Sequence, residues 1–332
     1  MTKKLLVTGG LGYIGSHFCV EAINKKYNVI AIDNLDNSKK SVIKQIYKIT
    51  GKQLNFIECD IRNFEKLKQI FEKEDIYCVV HFAALKSANE SFEKPILYYD
   101  VNVAGTINLL KVMEYVKCNK IIFSSTACIY GEPETLPIKE SNRLKPMNIY
   151  GQTKHINEII LSDICSSNKN FTSIIFRYFN VAGAHTTGLI SDNPKKNSSN
   201  IFPAIQKYYE NPNQIFKVFG GDYQTRDGTC IRDYIHIMDL IHAHMLGLEK
   251  INKLSGNKVY NLGNGKGTSV LEILKTVEKV NDKKINYEIV GRRKGDAAIV
   301  ITDPTLAQKE LNFKCKYTID DICTHFVKFW NI

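Results

Sequence analysis

Three features of the sequence predict an α/β fold, a doubly wound parallel sheet followed by a smaller C-terminal α/β lobe. A short apolar segment, Lys3-Lys4-Leu5-Leu6-Val7, runs into the glycine turn Thr8-Gly9-Gly10-Leu11-Gly12-Tyr13-Ile14-Gly15. Beyond that turn Ile14, Phe18, Cys19, Ala22 and Ile23 recur at helical spacing. A second apolar segment from Tyr27 ends in Asp33, about 20 residues past the turn, where an acid can take ribose hydroxyls. Finally, strand-length apolar runs keep alternating with helix-length segments as far as Phe179, the pattern of parallel strands joined by crossover helices.

Taken in order, a polar helix near 39–50 precedes a third strand, Leu54 to Asp60, and Asp60-Ile61 suits an adenine contact. A helix near 63–73 leads to the fourth strand, Tyr77 to Phe82, which opens into Ala83-Ala84, small enough for a ligand to lie against the backbone. A long helical region reaches about residue 117, and the fifth strand is Lys120 to Thr126. Pro133, Pro137 and Pro146 mark a loop, a helix runs from Tyr150 to about Asn168, and a sixth strand spans Phe171 to Phe179. This is the Rossmann pattern, and the glycine turn suits a dinucleotide: glycines admit a pyrophosphate, and the helix N-terminus supplies N–H groups and a positive dipole end. A carboxylate at Asp33 repels a 2′-phosphate and so favours NAD over NADP. Past Asn180 the pattern loosens into loops at 193–199 and 220–228, short strands near 215–218, 230–234, 257–262 and 285–289, and a helix carrying Val270, Ile273, Leu274 and Val277 on one face. The expected division is a dinucleotide domain over 1–182, with 233–262 packing back onto it, and a substrate lobe over 183–332.

At 332 residues and 44% hydrophobic content the chain can bury a large core. No apolar run reaches membrane-spanning length, and the N-terminus leads straight into a strand, so a soluble protein without a leader is expected. The nine cysteines form no C-x-x-C pair, which predicts buried free thiols in a reducing compartment. No metal site is expected from the histidine spacing. The net charge of +11 is scattered rather than interleaved with aromatics, which argues against nucleic acid.

The chemistry centres on Tyr150-Gly151-Gln152-Thr153-Lys154. On a helix Tyr150 and Lys154 share a face, and an ammonium nearby should favour the phenolate and make Tyr150 a base near neutral pH. The same lysine can hydrogen-bond a nicotinamide ribose. Ser124, Ser125 and Thr126 end the fifth strand at the carboxyl edge, where Thr126 can bond a substrate hydroxyl and relay its proton to Tyr150.

Thr8 to Gly15, the Tyr150/Lys154 pair and Asn102-Val103-Ala104-Gly105-Thr106 resemble the extended short-chain dehydrogenase/reductase family. Tyr13 to His17, Asp33-Asn34-Leu35, His81 to Lys86, Glu93-Lys94-Pro95, Arg177 to Asn180, Asp227 to His236 and Arg292 to Asp296 are similar to its sugar-nucleotide epimerases. The resemblance covers essentially the whole chain. It implies reversible inversion at C4 of the hexose in UDP-glucose and UDP-galactose, with NAD tightly bound and regenerated each turnover, in a cytoplasmic homodimer. It assigns Gly9, Gly12, Tyr13, Ile14, Gly15, Asp33, Asn34, Asn37, Ser38, Asp60, Ile61, Phe82, Ala83, Ala84, Lys86, Tyr150, Lys154, Tyr178 and Phe179 to the cofactor. It assigns Thr126, Tyr150, Asn180, Asn200, Ile201, Lys217, Phe219, Arg232, Arg292, Asp296 and Val300 to the UDP-hexose, the two arginines suiting a diphosphate. Ala84, Val101 and Val181 depart from the family pattern without touching the proton- or hydride-transfer set. Val300 stands where hexose-specific relatives carry a bulky tyrosine, which leaves partial room for an acetamido group. A dehydratase or decarboxylase on the same fold needs an acid–base carboxylate after Thr126, where this chain has Ala127-Cys128-Ile129-Tyr130.

Overall fold

Strand β1 (Lys4–Thr8) is the centre from which the main sheet grows in both directions. Its side chains alternate between two cores: Leu5 and Val7 enter one, Leu6 the other. A strand buried on both faces needs apolar residues throughout, hence its near-continuous hydrophobic run. The computed structural model describes residues 3–195, 200–211, 213–293 and 296–331, so part of the 193–199 loop and of the Arg292–Asp296 motif lies outside the described residues.

The remaining strands, in chain order, are β2 (Asn28–Asp33), β3 (Asn55–Glu58), β4 (Ile76–His81), β5 (Lys120–Thr126), β6 (Thr172–Tyr178), β7 (Asn180–Ala182), β8 (Phe216–Phe219), β9 (Ile231–His236), β10 (Gly256–Leu262), β11 (Gly267–Ser269), β12 (Tyr287–Val290) and β13 (Ile299–Val300). The main sheet is seven-stranded and parallel in the order β10-β6-β5-β4-β1-β2-β3. The order reverses between β1 and β4, the switch point at which open α/β sheets bind ligands.

The helices are α1 (Tyr13–Asn24), α2 (Val42–Thr50), α3 (Phe64–Lys73), α4 (Ala88–Glu93), α5 (Pro95–Tyr99), α6 (Gly105–Tyr115), α7 (Ile149–Ser167), α8 (Ile201–Glu210), α9 (Ile237–Lys250), α10 (Val270–Asn281), α11 (Thr305–Leu311) and α12 (Ile319–Trp330). The long helical region is therefore α4, α5 and α6, with a π-helical turn over Asp100–Ala104. Helices α1 and α9 pack together on one face of the sheet, while α3 and α6 pack on the other. Strand β10 pairs with β6 along its whole length and α9 packs on α1, while residues 233–236 belong to β9, which pairs with β7, β11 and β13. A third core joins α8, α10 and α12 to β8 and β9 in the C-terminal lobe.

Candidate active site

A cleft of about 1030 Å³ runs from the β1–β4 switch point to the C-terminal lobe. That is at the upper end for a single small-molecule site and leaves room for two ligands end to end. At its floor Gly9 has φ +65, and a Cβ there would stand 2.8 Å from the Ala83 backbone nitrogen. Only glycine lets β1 turn this closely past the β4 exit. Helix α1 starts at Gly12 with no capping side chain, so its positive end faces the cleft. Asp33, at the end of β2, accepts from Leu11 N (3.1 Å), Leu35 N (2.8 Å) and the Ser38 hydroxyl (2.7 Å), which fixes the turn and the acid as one unit. The carboxylate of Asp60 is held by Arg62 and by Asn34 (2.8 Å), and hydrogen bonds from Arg62 pull its pKa down to about 2. The narrow glycine floor, the helix end and the acid on β2 fit an adenine dinucleotide with an unmodified ribose.

A segment of the C-terminal lobe straps this half of the cleft. Tyr13 donates its phenol to Gly183 O (2.7 Å), Lys86 pairs with Asp192 (3.4 Å), Lys39 donates to Asn193 Oδ1 (2.8 Å), and Lys195 donates to Leu35 O (2.7 Å). No local pattern signals it, since each tie joins residues more than a hundred apart.

Helix α7 carries the chemistry. Asn148 caps it by accepting from Gly151 N (2.7 Å), and a Cβ on Gly151 would lie 2.8 Å from Cys128 O, so the helix start sits directly against the β5 exit. Tyr150, Lys154 and Thr126 all line the cleft. Lys154 Nζ donates to Ser124 O at 2.7 Å and lies 4.8 Å from the centre of the Phe123 ring.

One expectation is corrected here. The ammonium does not draw the Tyr150 phenol down: burial, with Cys128 adding to it, pushes that phenol well above its ordinary value, and only hydrogen bonding to Thr126 opposes the shift. Burial also lowers Lys154 to about 7, against the pull of Glu158. Lys154 is buried and aimed at a strand carbonyl, and Tyr150 is half-buried at the cleft wall, so desolvation outweighs their mutual influence.

All the residues assigned to the cofactor and the substrate line this cleft except Arg292. Its guanidinium instead bonds Asp222 Oδ1 (2.8 Å) and O (2.7 Å) and stacks 4.2 Å from the Tyr223 ring. The neighbouring Arg293 lines the cleft, 4.2 Å from the Phe219 ring. The Asp222 loop captures the first of these two adjacent side chains, and the second is left on the cleft. Arg232 also reaches the cleft, paired with Asp296 at 3.4 Å.

Fold and site together define a dinucleotide-binding enzyme of the extended short-chain dehydrogenase/reductase class, with a tyrosine–lysine pair at the strand ends. The family model described as GDP-mannose 4,6 dehydratase matches residues 6–326. A UDP-glucose 4-epimerase of Dictyostelium discoideum is 44% identical over 321 residues, covering 96% of this chain and 93% of that one. The structure of UDP-glucose 4-epimerase from Bifidobacterium longum in complex with NAD+ and UDP superposes with a TM-score of 0.95 at 41% identity, covering 99% of this chain and 98% of that one. A UDP-Glc/GlcNAc 4-epimerase from Campylobacter jejuni gives a TM-score of 0.86 at 33% identity, covering 99% of each chain. The chain belongs to the UDP-glucose 4-epimerase family.

Proposed function

We propose that this enzyme interconverts UDP-glucose and UDP-galactose by transient oxidation at C4, using NAD that stays bound and is regenerated each turnover. The observation that carries the reading is the convergence of Tyr150, Lys154 and Thr126 on one cleft whose other end is built for a dinucleotide. When bound, NAD accepts the C4 hydride and returns it to the opposite face of the sugar. Tyr150 takes the O4 proton and gives it back, while Thr126 holds that hydroxyl in line. Lys154, fixed to Ser124 O, holds the ribose side of the site, and the Thr126 hydroxyl bond is what favours the phenolate against the cost of burial. The residues directly after Thr126, Ala127-Cys128-Ile129-Tyr130, carry no carboxylate to serve the elimination a dehydratase performs.

Arg232 and Arg293 hold the diphosphate in this reading, and Phe219 with Ile201 lines the uridine end. Val300 lines the sugar pocket and leaves space for a 2-acetamido group, giving a side activity on UDP-N-acetylglucosamine. The two-part division at residue 182, with most of 233–262 on the cofactor side, is supported by β10 and α9 packing on the main body. The exposed apolar side chains Phe92, Ile96, Tyr115 and Ile159, on the adjoining helices α4 to α7, support a homodimer through that face. A cytoplasmic location is supported by nine unpaired cysteines; among the described residues no helix is long and apolar enough to cross a membrane.

A release experiment tests the core claim. The purified protein is denatured, the supernatant assayed for NAD, and the intact protein given UDP-galactose without added cofactor. NAD in the supernatant with unsupplemented turnover is the expected result; a strict need for added NAD would overturn the resident-cofactor cycle. UDP-N-acetylglucosamine at saturation tests the Val300 reading, and no detectable epimerisation would sink it.

A further inference from the structure

One turn beyond Lys154 on the same face of α7 stands Glu158, buried and 6% exposed. Beneath it, β5, β6 and β10 place Ser125, Arg177 and Asn261 in one row, since Ser125 registers with Arg177 and Arg177 with Asn261. All three are buried, and Ser125 and Arg177 point at α7. The Ser125 hydroxyl donates to Glu158 Oε1. Arg177 grips both carboxylate oxygens, through Nε at 3.1 and 3.2 Å and through Nη2 at 2.7 Å. Its Nη1 reaches Tyr130 Oη (2.8 Å) and Glu140 O (3.0 Å), and the Tyr130 hydroxyl donates to Asn261 Oδ1 (2.7 Å). One carboxylate on the helix is thus tied to three adjacent strands.

A buried ion pair of this kind is poor evidence for stability, because taking two charges out of water offsets most of their attraction. Its distinctive property is geometric. A planar guanidinium in a two-oxygen grip tolerates neither sliding nor rotation of the helix. The groups that must meet for proton transfer come from the two parts being joined: Tyr150 and Lys154 from α7, Thr126 and the Ser124 carbonyl from β5. A misplacement of about 1 Å at such a site costs on the order of a hundredfold in rate.

We propose that Glu158 is a positioning residue for the reaction, its Ser125–Arg177–Asn261 row setting the axial register of α7 against the end of β5. The proposal rests on Tyr150 being the proton-transfer group, and a Tyr150→Phe control separates the two: if that variant keeps wild-type turnover, the catalytic reading itself fails. The electrostatic consequence has a definite sign. Lys154 faces Tyr150 and Glu158 on its own helix, Phe123 and the Ser124 carbonyl on β5 and His81 on β4, with Arg177 and Tyr178 of β6 beside those partners. Of these, Glu158 alone raises its pKa. Removing Glu158 therefore makes Lys154 lose its proton at lower pH, and the alkaline limb of kcat moves toward acid.

The test uses NAD-loaded holoenzyme in three forms besides wild type. The double variant Glu158→Leu with Arg177→Met replaces both charges with apolar groups of similar volume, an exchange that leaves stability nearly unchanged in comparable cases. Ser125→Ala cuts the tie to β5 while leaving the ion pair whole, and Glu158→Asp keeps the charge but shortens the reach. Melting temperature, NAD content, kcat and KM for UDP-galactose are measured across pH. The double variant should retain NAD and a KM within about twofold of wild type while kcat falls at least tenfold, a loss confined to the oriented reacting state. Its alkaline limb should move toward acid. Ser125→Ala should lose about threefold to tenfold in kcat with its pH profile unmoved, and Glu158→Asp should recover the limb but only part of the rate. A folded double variant with wild-type kcat would overturn the proposal. If that variant does not fold, Ser125→Ala decides: a lowered melting temperature with unchanged kcat assigns the row to stability alone and overturns positioning.

Discussion

Acid should unfold this protein early, and buried histidines are the reason. His17, His81 and His236 are held at about 3, and His185 and His244 at about 4, burial being the chief cause in all five. Their surroundings fit the neutral ring. His236 Nδ1 accepts from Met238 N (3.0 Å) to cap α9, with its Nε2 on His325 Nδ1 (2.9 Å); His81 lies between the Thr8 and Thr106 hydroxyls at 2.6 and 3.0 Å. In the unfolded chain each imidazole takes its proton near 6.5. Between about 6.5 and 4 the unfolded state therefore binds more protons than the folded one, and stability falls as pH falls, by about 1.4 kcal/mol per pH unit per group. Asp233 has the opposite sign: burial raises it to about 6, so the folded chain takes up that proton first. The five histidines less Asp233 give a net slope of roughly 5–6 kcal/mol per pH unit below about pH 6. Against a total stability of about 5–15 kcal/mol, the unfolding midpoint should fall one to three units below 6.5. The assay is the melting temperature of the NAD-loaded protein by circular dichroism, from about pH 8 to about pH 4.5. His236→Gln, which keeps an acceptor for the α9 cap, should flatten the slope by about a quarter. A melting temperature constant down to about pH 5 would refute the reasoning.

Three further outcomes follow from the site. Tyr150→Phe should lower kcat by about 10²- to 10⁴-fold while retaining NAD, because only the proton-transfer group is lost; cofactor content and turnover measured on one preparation check this. Arg293→Ala should raise KM for UDP-galactose roughly tenfold or more, the loss of a charge-assisted phosphate contact, whereas Arg292→Ala should leave KM within about twofold. Steady-state kinetics on the pair decide, and equal effects would contradict the opposite placement of the two side chains. Loosening the strap with Lys39→Ala and Lys86→Ala together, which removes two of its four ties, should speed NAD release by up to about tenfold, read as loss of bound cofactor after dilution into a scavenger; an unchanged release rate would mean that these ties do not retain it.

Much of the architecture was local enough to read from the chain. Strand β5 runs over Lys120–Thr126 as the apolar run indicated, and α7 begins within a residue of Tyr150. Beyond residue 180 the short strands and α8 to α12 were harder. Strands β7, β11 and β13 have two or three residues each, and their pairing with β9 rather than any periodic pattern defines them.

Sequence alone determined the glycine turn, the acid on β2, the Tyr150–Lys154 spacing and the lack of a carboxylate in Ala127–Tyr130 directly after Thr126, because each depends on neighbouring residues and on helix or strand period. The tertiary structure decided the rest. Which of Arg292 and Arg293 enters the cleft depends on register against the Asp222 loop. Lys154 sits near neutrality because β5 and α7 close around it and exclude water. Ser125, Arg177 and Asn261 become neighbours only when three strands far apart in the chain pair in parallel, and Glu158 acquires its role from that row. Direction of a side chain and degree of desolvation are properties of packing, and packing is set by residues remote in sequence.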